Sequence, residues 1–247
     1  MAEYLAVLRE GLIELAGPPG QEAARDPGRL RALLQHLEEV REWNRLVNLT
    51  GITDLGEMVV KHTLDSAALL GRVPVSPGMR VLDVGTGAGF PGVVLGLLVP
   101  GVRLSLLDSL QKRCRFLEHL CQVLWPGDRE VEVLWGRAEE WGHRPGYREA
   151  YDLVTARAVA EMRVLAELCL PFVRVGGRFV ALKGPGGRQE VAEAARALAT
   201  LGGEVTGLWE VTLPAGAGER LLVEVTKVRP TPALYPRRPG VPEKRPL

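Results

Sequence analysis

The chain has 247 residues, room for one large domain or two modest ones with a real core. Its 46% hydrophobic and 25% charged content is that of an ordinary soluble globular protein, and no stretch approaches the roughly 20 consecutive apolar residues of a membrane span. The net charge of +1 hides an asymmetry: Lys227, Arg229, Arg237, Arg238, Lys244 and Arg245 against Glu243 make residues 227–247 +5, leaving −4 for the rest.

From the N-terminus, Met1-Ala2-Glu3-Tyr4 places an acid early and has no apolar signal core, so no export signal is read. Leu5, Leu8, Leu12 and Leu15 recur at helical spacing over residues 2–16, and Pro18-Pro19-Gly20 interrupt them. A longer helix is predicted over 28–47, with Leu30, Leu33, Leu34, Leu37, Val40 and Val47 on one face. A third runs from Asp54, a suitable N-cap, to Leu70. Val73-Pro74-Val75-Ser76-Pro77-Gly78 is a stiff linker. The expected domains are therefore a helical region over 1–75 and a second domain over 76–247.

From Arg80 the pattern becomes strands alternating with helices. Strands are predicted at 80–84, 102–107, 131–134, 151–155 and 178–182, the last preceded by Gly176-Gly177. Helices follow at about 91–99, 110–124, 160–170 and 187–201, with a helical turn at 138–141. Apolar strands alternating with helices imply an α/β fold with a parallel sheet covered on both faces. Residues 204–213 and 221–227, joined by Pro214-Ala215-Gly216-Ala217-Gly218, read as an antiparallel hairpin. Five βα units and a terminal hairpin are the pattern of the Rossmann-like, seven-stranded class I methyltransferase sheet. Ligands of such sheets bind at the carboxyl ends of the strands, near the topological switch point.

The first strand runs into Asp83-Val84-Gly85-Thr86-Gly87-Ala88-Gly89-Phe90-Pro91-Gly92. A dinucleotide fingerprint counted from Gly85 needs its third glycine at position 90, where Phe90 stands. The series Gly87, Gly89, Gly92 does match, but it begins two residues past the strand. What the strand feeds is Asp83-x-Gly85-x-Gly87-x-Gly89, the arrangement of S-adenosylmethionine sites. There the glycines leave room for the methionine and ribose portions. The helix beginning at about Pro91 is expected to offer free N–H groups to the same ligand.

Asp108, ending the second strand, can accept both ribose hydroxyls of a nucleoside cofactor; dehydrogenases use the same position, and a lone Asp there also serves as an N-cap. Gly136-Arg137-Ala138-Glu139-Glu140 is where an adenine would lie in this architecture. The fourth strand ends in Thr155-Ala156-Arg157-Ala158, without the Asn/Asp-Pro-Pro-aromatic motif of amine methylation or the Cys of cytosine-C5 methylation. A ring nitrogen with a free lone pair, such as guanine N7, needs no base, and catalysis then reduces to alignment in a dry pocket. Arg157 could pair with the cofactor carboxylate, with an RNA phosphate, or with a surface acid. Lys183 ends the fifth strand near the cleft, where it could touch RNA or serve structure. The four histidines and the cysteines Cys114, Cys121 and Cys169 show no metal spacing, so no metal and a reducing cytosol are expected.

These residues resemble the RsmG (GidB) family, the bacterial 16S rRNA guanine-N7 methyltransferases. The resemblance rests on Trp43-Asn44 with Asn48-Leu49-Thr50, Lys61-His62 with Leu64-Asp65-Ser66, and Leu82 to Gly92. It continues through Leu107-Asp108-Ser109, Lys112-Arg113, Arg115-Phe116-Leu117, Arg137-Ala138-Glu139-Glu140, Arg157-Ala158 and Leu182-Lys183-Gly184, and ends in Tyr235 to Pro242 with Arg245-Pro246-Leu247. One departure is a longer interval between Trp141 and Tyr151.

The resemblance implies methyl transfer from S-adenosylmethionine to N7 of a guanine in the decoding-centre loop of 16S rRNA, on free RNA or the small ribosomal subunit. Cofactor contacts would come from Asp83, Gly85, Gly87, Gly89, Phe90, Ala138, Glu139 and Arg157, with Asp108 on the ribose. Arg157 and Lys183 are the positioning candidates, and Arg237, Arg238, Lys244 and Arg245 the RNA contacts. A cytoplasmic monomer with no metal and no membrane partner is expected. The alternatives are an S-adenosylmethionine-binding RNA or ribosome-assembly factor without turnover, and a methyltransferase acting on another substrate.

Overall fold

The computed structural model describes residues 2–127 and 130–247. Seven strands form one sheet in the order β3-β2-β1-β4-β5-β7-β6. They are β1 (Arg80–Val84), β2 (Arg103–Asp108), β3 (Val131–Trp135), β4 (Tyr151–Arg157), β5 (Val173–Lys183), β6 (Gly203–Thr212) and β7 (Glu219–Lys227). The first five pair in parallel, and β7 is antiparallel to both of its neighbours. Strand order reverses between β1 and β4, so the carboxyl ends of these two strands flank the switch point where such sheets bind ligands.

β5 starts earlier than the sequence suggests. Gly176 takes φ +81 and the register with β4 shifts between Tyr151 and Leu153, so the two glycines lie inside the strand at an irregularity.

The N-terminal helices differ in their ends. α1 (Ala2–Leu15) stops at a turn made by Gly17 at φ +57, and Pro18-Pro19-Gly20 open a short helix, α2 (Gly17–Ala24). Proline is compatible there because a first-turn N–H has no intrahelical acceptor. α3 (Pro27–Trp43) is capped by Asp26, whose carboxylate accepts from Gly28 N and Arg29 N. It ends short of Val47 because Asn44 folds the chain over: its Oδ1 accepts from Leu49 N and Thr50 N, and its Nδ2 donates to Thr50 O. α4 (55–71) begins at the Asp54 cap, widens to a π-helix over Val59–Leu64 and closes with a 3-10 turn at Ala68–Gly71. π-helical turns inside α-helices concentrate at functional sites. Here the turn carries Lys61 and His62.

One apolar core joins Leu8, Leu12, Leu33, Leu37 and Leu64 of the helical region to Val81, Val93, Leu104 and Leu106 of the sheet layer. A second, on the opposite face, holds Leu82, Val154, Phe172, Phe179 and Val223. Each fully buried Leu or Phe contributes roughly 1.5–3 kcal/mol. The helical region is thereby fastened against the face that leads to the end of β1. Among the described residues no helix is long and apolar enough to cross a membrane.

Candidate functional site

The glycine turn after β1 is held by its neighbours. Gly85 N and Thr86 N donate to Leu107 O at the end of β2, at 2.8 and 3.1 Å, and Phe90 N returns to Thr86 O at 3.1 Å. Gly85, Gly87 and Gly89 take φ of +68, +59 and +91, values that favour glycine. A Cβ placed on Gly87 would meet nothing nearer than Gly85 O at 3.9 Å, so this face of the turn is open. One on Gly85 would lie 2.6 Å from Val159 Cγ2, because the loop after β4 crosses the turn there.

Asp83 does not line the cleft. It is fully buried beneath the turn, where Oδ2 accepts from Gly92 N at 2.9 Å and Oδ1 from Thr155 Oγ1 at 3.0 Å. Burial pushes its carboxyl up to about 6, against the opposing pull of these hydrogen bonds. The expected free N–H groups of the following helix are accordingly missing at its start. That helix begins at Gly92, with Pro91 as the cap, Gly92 N is taken by Asp83, and Val93 N donates to Gly89 O at 2.8 Å. The turn therefore offers a ligand Cβ-free surface more than helix-end donors.

Two cavities meet at Gly85. The smaller, of about 180 Å³, is lined by Gly85, Asp108, the Gly136–Glu139 turn, Val159 and Ala160, and by Pro242 and Glu243 of the C-terminal segment. Asp108 is buried there, accepting from Gly87 N at 3.0 Å and Leu110 N at 2.9 Å. A carboxylate has about four acceptor positions, so capacity for hydroxyl donors is left. Glu139 is also buried, and its Oε1 accepts from Gly240 N at 2.9 Å. Two carboxylates beside a cradle without Cβ atoms fit the nucleoside end of S-adenosylmethionine.

The larger cavity, of about 500 Å³, reaches from Gly85, Thr86, Gly87 and Phe90 to Leu49, Thr50 and Ile52 of the helical region. Its wall carries five basic side chains, Lys61, Arg113, Arg157, Lys183 and Arg220, against the acids Asp65 and Glu190. Arg157 donates to Asp65 Oδ2 at 2.9 Å and Lys61 O at 3.1 Å, and its guanidinium lies 5.1 Å from the Phe90 ring centroid. It is thus an inward ion pair on the cleft wall. Lys183 is paired with Glu190 at 2.6 Å and donates to Ala160 O. His62 Nε2 lies 2.8 Å from Thr50 Oγ1, and burial together with the Arg157 charge pushes its imidazole down to about 4. His62 is therefore neutral at neutral pH.

Outside the cavity wall, His36 stacks on Phe90 with centroids 4.4 Å apart and its Nε2 lies 2.8 Å from Ala88 O. α3 thereby grips the glycine turn directly.

The structure brings Gly85, Gly87, Phe90 and Arg157 to the larger cavity and Gly85, Asp108, Ala138 and Glu139 to the smaller. Gly89 faces Val93 and His36 instead. Thr50, Lys61, His62, Asp65 and Arg113 reach the wall without having been assigned roles from sequence. They sit in the stretches that carried the family resemblance, which was the available signal; Arg220 had none. Among the described residues no group of three or more His, Cys, Asp or Glu could hold a metal ion.

The basic tail is less free than its charge suggests. Lys227 is fully buried, with Nζ donating to Leu170 O, Val173 O and Glu149 Oε1. Arg237 is bound to the buried Glu167 by Nε and Nη2, with its main-chain N donating to the same carboxylate. Arg238, Lys244 and Arg245 are exposed.

A protein-family model described as GidB, rRNA small subunit methyltransferase G, matches residues 29–215. A protein of Symbiobacterium thermophilum named ribosomal RNA small subunit methyltransferase G is 57% identical over 247 residues, covering 99% of this chain and 98% of the relative. Proteins of the same name from Moorella thermoacetica and Geobacillus kaustophilus are 47% and 46% identical, covering 83% and 88% of this chain and 85% and 92% of theirs. Among solved structures, TrmN from Thermus thermophilus superposes with a TM-score of 0.51 at 21% identity, over 67% of this chain and 49% of that one. YcgJ from Bacillus subtilis gives 0.51 at 14% identity, over 68% and 100%. These two likenesses concern the fold.

Proposed function

The chain belongs to the GidB family of small-subunit rRNA methyltransferases, and from that premise we propose that it methylates N7 of a guanine in the decoding-centre loop of 16S rRNA. The methyl donor in this reading is S-adenosylmethionine, which supplies an electrophilic sulfonium methyl. The observation that carries the reading is the junction at Gly85. A carboxylate-bearing cavity of nucleoside size there adjoins a larger one whose wall has a basic excess, five cations against Asp65 and Glu190. The first suits the donor's adenosine, and the second suits an anionic polynucleotide.

The chain's own residues hold and exclude; they do not carry protons. Asp108 and Glu139 orient the nucleoside, and the bare face of Gly87 lets the donor lie against the main chain. Phe90, with His36 stacked on it and the Arg157 guanidinium 5.1 Å from its ring centroid, gives the larger cavity an apolar floor. No base is needed, because guanine N7 presents a lone pair and loses no proton. The groups nearest to hand agree: burial and the Arg157 charge hold the His62 imidazole down to about 4, which makes it a poor proton acceptor, and Asp65 is bound to Arg157.

The helical region, 1–75, contributes Leu49, Thr50, Ile52, Lys61 and His62 to the RNA-side wall, while 76–247 supplies the donor side and the remaining basic side chains of that wall, Arg113, Arg157, Lys183 and Arg220. Arg238, Lys244 and Arg245 are RNA contacts on the outer side of the tail, with Arg237 as its anchor. The protein works in the cytoplasm as a monomer.

Incubation with radiolabelled S-adenosylmethionine and small subunits or 16S rRNA, followed by nucleoside analysis, tests the proposal. The expected product is one 7-methylguanosine per rRNA; label in protein, or no 7-methylguanosine, overturns it.

A further inference from the structure

The C-terminal segment lies against the cofactor side of the domain along a run of polar contacts. Arg148 Nη1 donates to Gly142 O and Tyr235 O, and its Nη2 to Thr231 O. His143 Nε2 lies 2.7 Å from Pro236 O, and Glu149 Oε1 accepts from Thr231 N at 2.7 Å. Arg237 then grips Glu167, and Gly240 N ends on Glu139. The interval between Trp141 and Tyr151 is thus the dock of the tail, supplying Arg148, His143 and Glu149.

What the dock achieves is the placement of the last turn. Pro242 and Glu243 become part of the wall of the smaller cavity, opposite the ends of β1 and β2. Of the carboxylates on that wall, Asp108 is bound by two main-chain N–H groups and Glu139 by Gly240 N and Arg137. Glu243 alone among them has no intramolecular partner among the described residues. Glu243 is exposed, as are its neighbours Lys244 and Arg245, but only Glu243 of the three lines that wall.

We propose that Pro242 and Glu243 of the C-terminal segment form a wall of the methyl-donor pocket, and that Glu243 is the carboxylate on it that binds the donor's nucleoside end. The inference rests on the methyltransferase reading above. Chemically, the hydroxyls and exocyclic amine of an adenosine are donors that a free carboxylate accepts, and charge assistance makes such bonds stronger than neutral ones. A nucleotide bearing phosphate at that end is repelled by the same charge. The tail then has two sides with different tasks, acid towards the donor and base towards RNA.

The test is calorimetric titration of the full-length chain and of Glu243→Gln with S-adenosylhomocysteine. Methyl transfer to 16S rRNA is followed alongside, with donor and RNA varied separately. Glu243→Gln is expected to weaken S-adenosylhomocysteine about five- to tenfold. It should raise KM for S-adenosylmethionine by a like factor, with kcat, KM for rRNA and Tm unchanged. Glu243→Asp should recover part of the loss. A chain ending at residue 239 should lose more affinity, and its melting curve reports whether Leu247, packed on the second core, is also needed for folding.

A Glu243→Gln protein that binds within twofold of the parent overturns the assignment, as does one whose loss falls on the KM for rRNA. If the parent itself binds no S-adenosylhomocysteine, the methyltransferase reading falls, and this inference with it.

Discussion

Arg157, at the end of β4, donates to Asp65 Oδ2 at 2.9 Å and so ties the strand nearest the cleft to α4 of the helical region. Arg220 Nε stands 3.3 Å from the other oxygen of the same carboxylate, making Asp65 the shared counterion of two guanidinium groups. With its side chain only 5% exposed, Asp65 balances charge that water reaches poorly. Removing one member of a buried pair costs about 3–5 kcal/mol, because the partner is left uncompensated. Asp65→Ala should therefore be the most destabilising change at this junction, since two cations then face each other. Arg157→Ala should cost less, because Arg220 remains beside Asp65. Urea unfolding of both variants checks the order; equal losses, or a milder Asp65→Ala, contradict the shared-counterion account.

The glycine turn makes a sharper prediction for Gly87 than space alone allows. The protein has room for a Cβ there, yet φ +59 costs a non-glycine residue about 1–2 kcal/mol. Gly87→Ala should thus fold with a slightly lowered Tm, and Gly87→Val should lose more because its branched Cβ is stiffer. Both should bind S-adenosylhomocysteine at least tenfold more weakly, because the added carbon occupies the open face of the turn. Titration of folded Gly87→Ala settles the matter: undiminished affinity would mean that the donor lies elsewhere.

His36 links stability to pH. Burial pushes its imidazole down to about 4, outweighing the opposite pull of the Ala88 carbonyl. The unfolded chain protonates its histidines near pH 6.5. A depressed folded value means that the stability from the neutral ring is complete above pH 6.5 and drains away as pH falls towards 4. His36→Met, which fills irregular space without titrating, should be less stable than the parent by about 1–3 kcal/mol at pH 8, where Ala88 O loses its donor. The deficit should shrink steadily between pH 6.5 and 4. Parallel melting curves at pH 8, 6 and 4.5 measure it, and a constant deficit would show that His36 does not titrate with folding.

The sheet was legible because it is written in short-range patterns. Strand β1 occupies 80–84 as its apolar run predicts, and the hairpin follows from the turn at 214–218. Asp108 and Glu139 were legible as carboxylates ending a strand and opening a turn. The pairings over the cleft were not. Asp65 and Arg157 are 92 residues apart, and nothing local to either says that the acid of α4 will meet the cation of β4. The same holds for Asp83. An acid in a strand end before glycines reads as a ligand contact, whereas the fold spends it on Gly92 N and Thr155. Composition misled most in the tail, because counting charges cannot distinguish a buried lysine such as Lys227 from an exposed one.

That distinction separates two neighbouring arginines. Arg237 makes a forked contact with Glu167, whose side chain is 1% exposed, while Arg238 is exposed. Arg237→Ala leaves a buried carboxylate without its cation and should cost about 3–5 kcal/mol. Because Arg237 also anchors the segment carrying Gly240 and Glu243, the change should weaken S-adenosylhomocysteine in whatever protein remains folded. Arg238→Ala should leave Tm and donor affinity alone. As one fewer phosphate contact, it should lower RNA affinity and reduce the slope of log affinity against log salt by about 1. Melting curves and salt-dependent RNA titrations on the two variants separate anchor from contact. The assignment fails if Arg237→Ala melts like the parent, or if Arg238→Ala keeps the parent's salt slope.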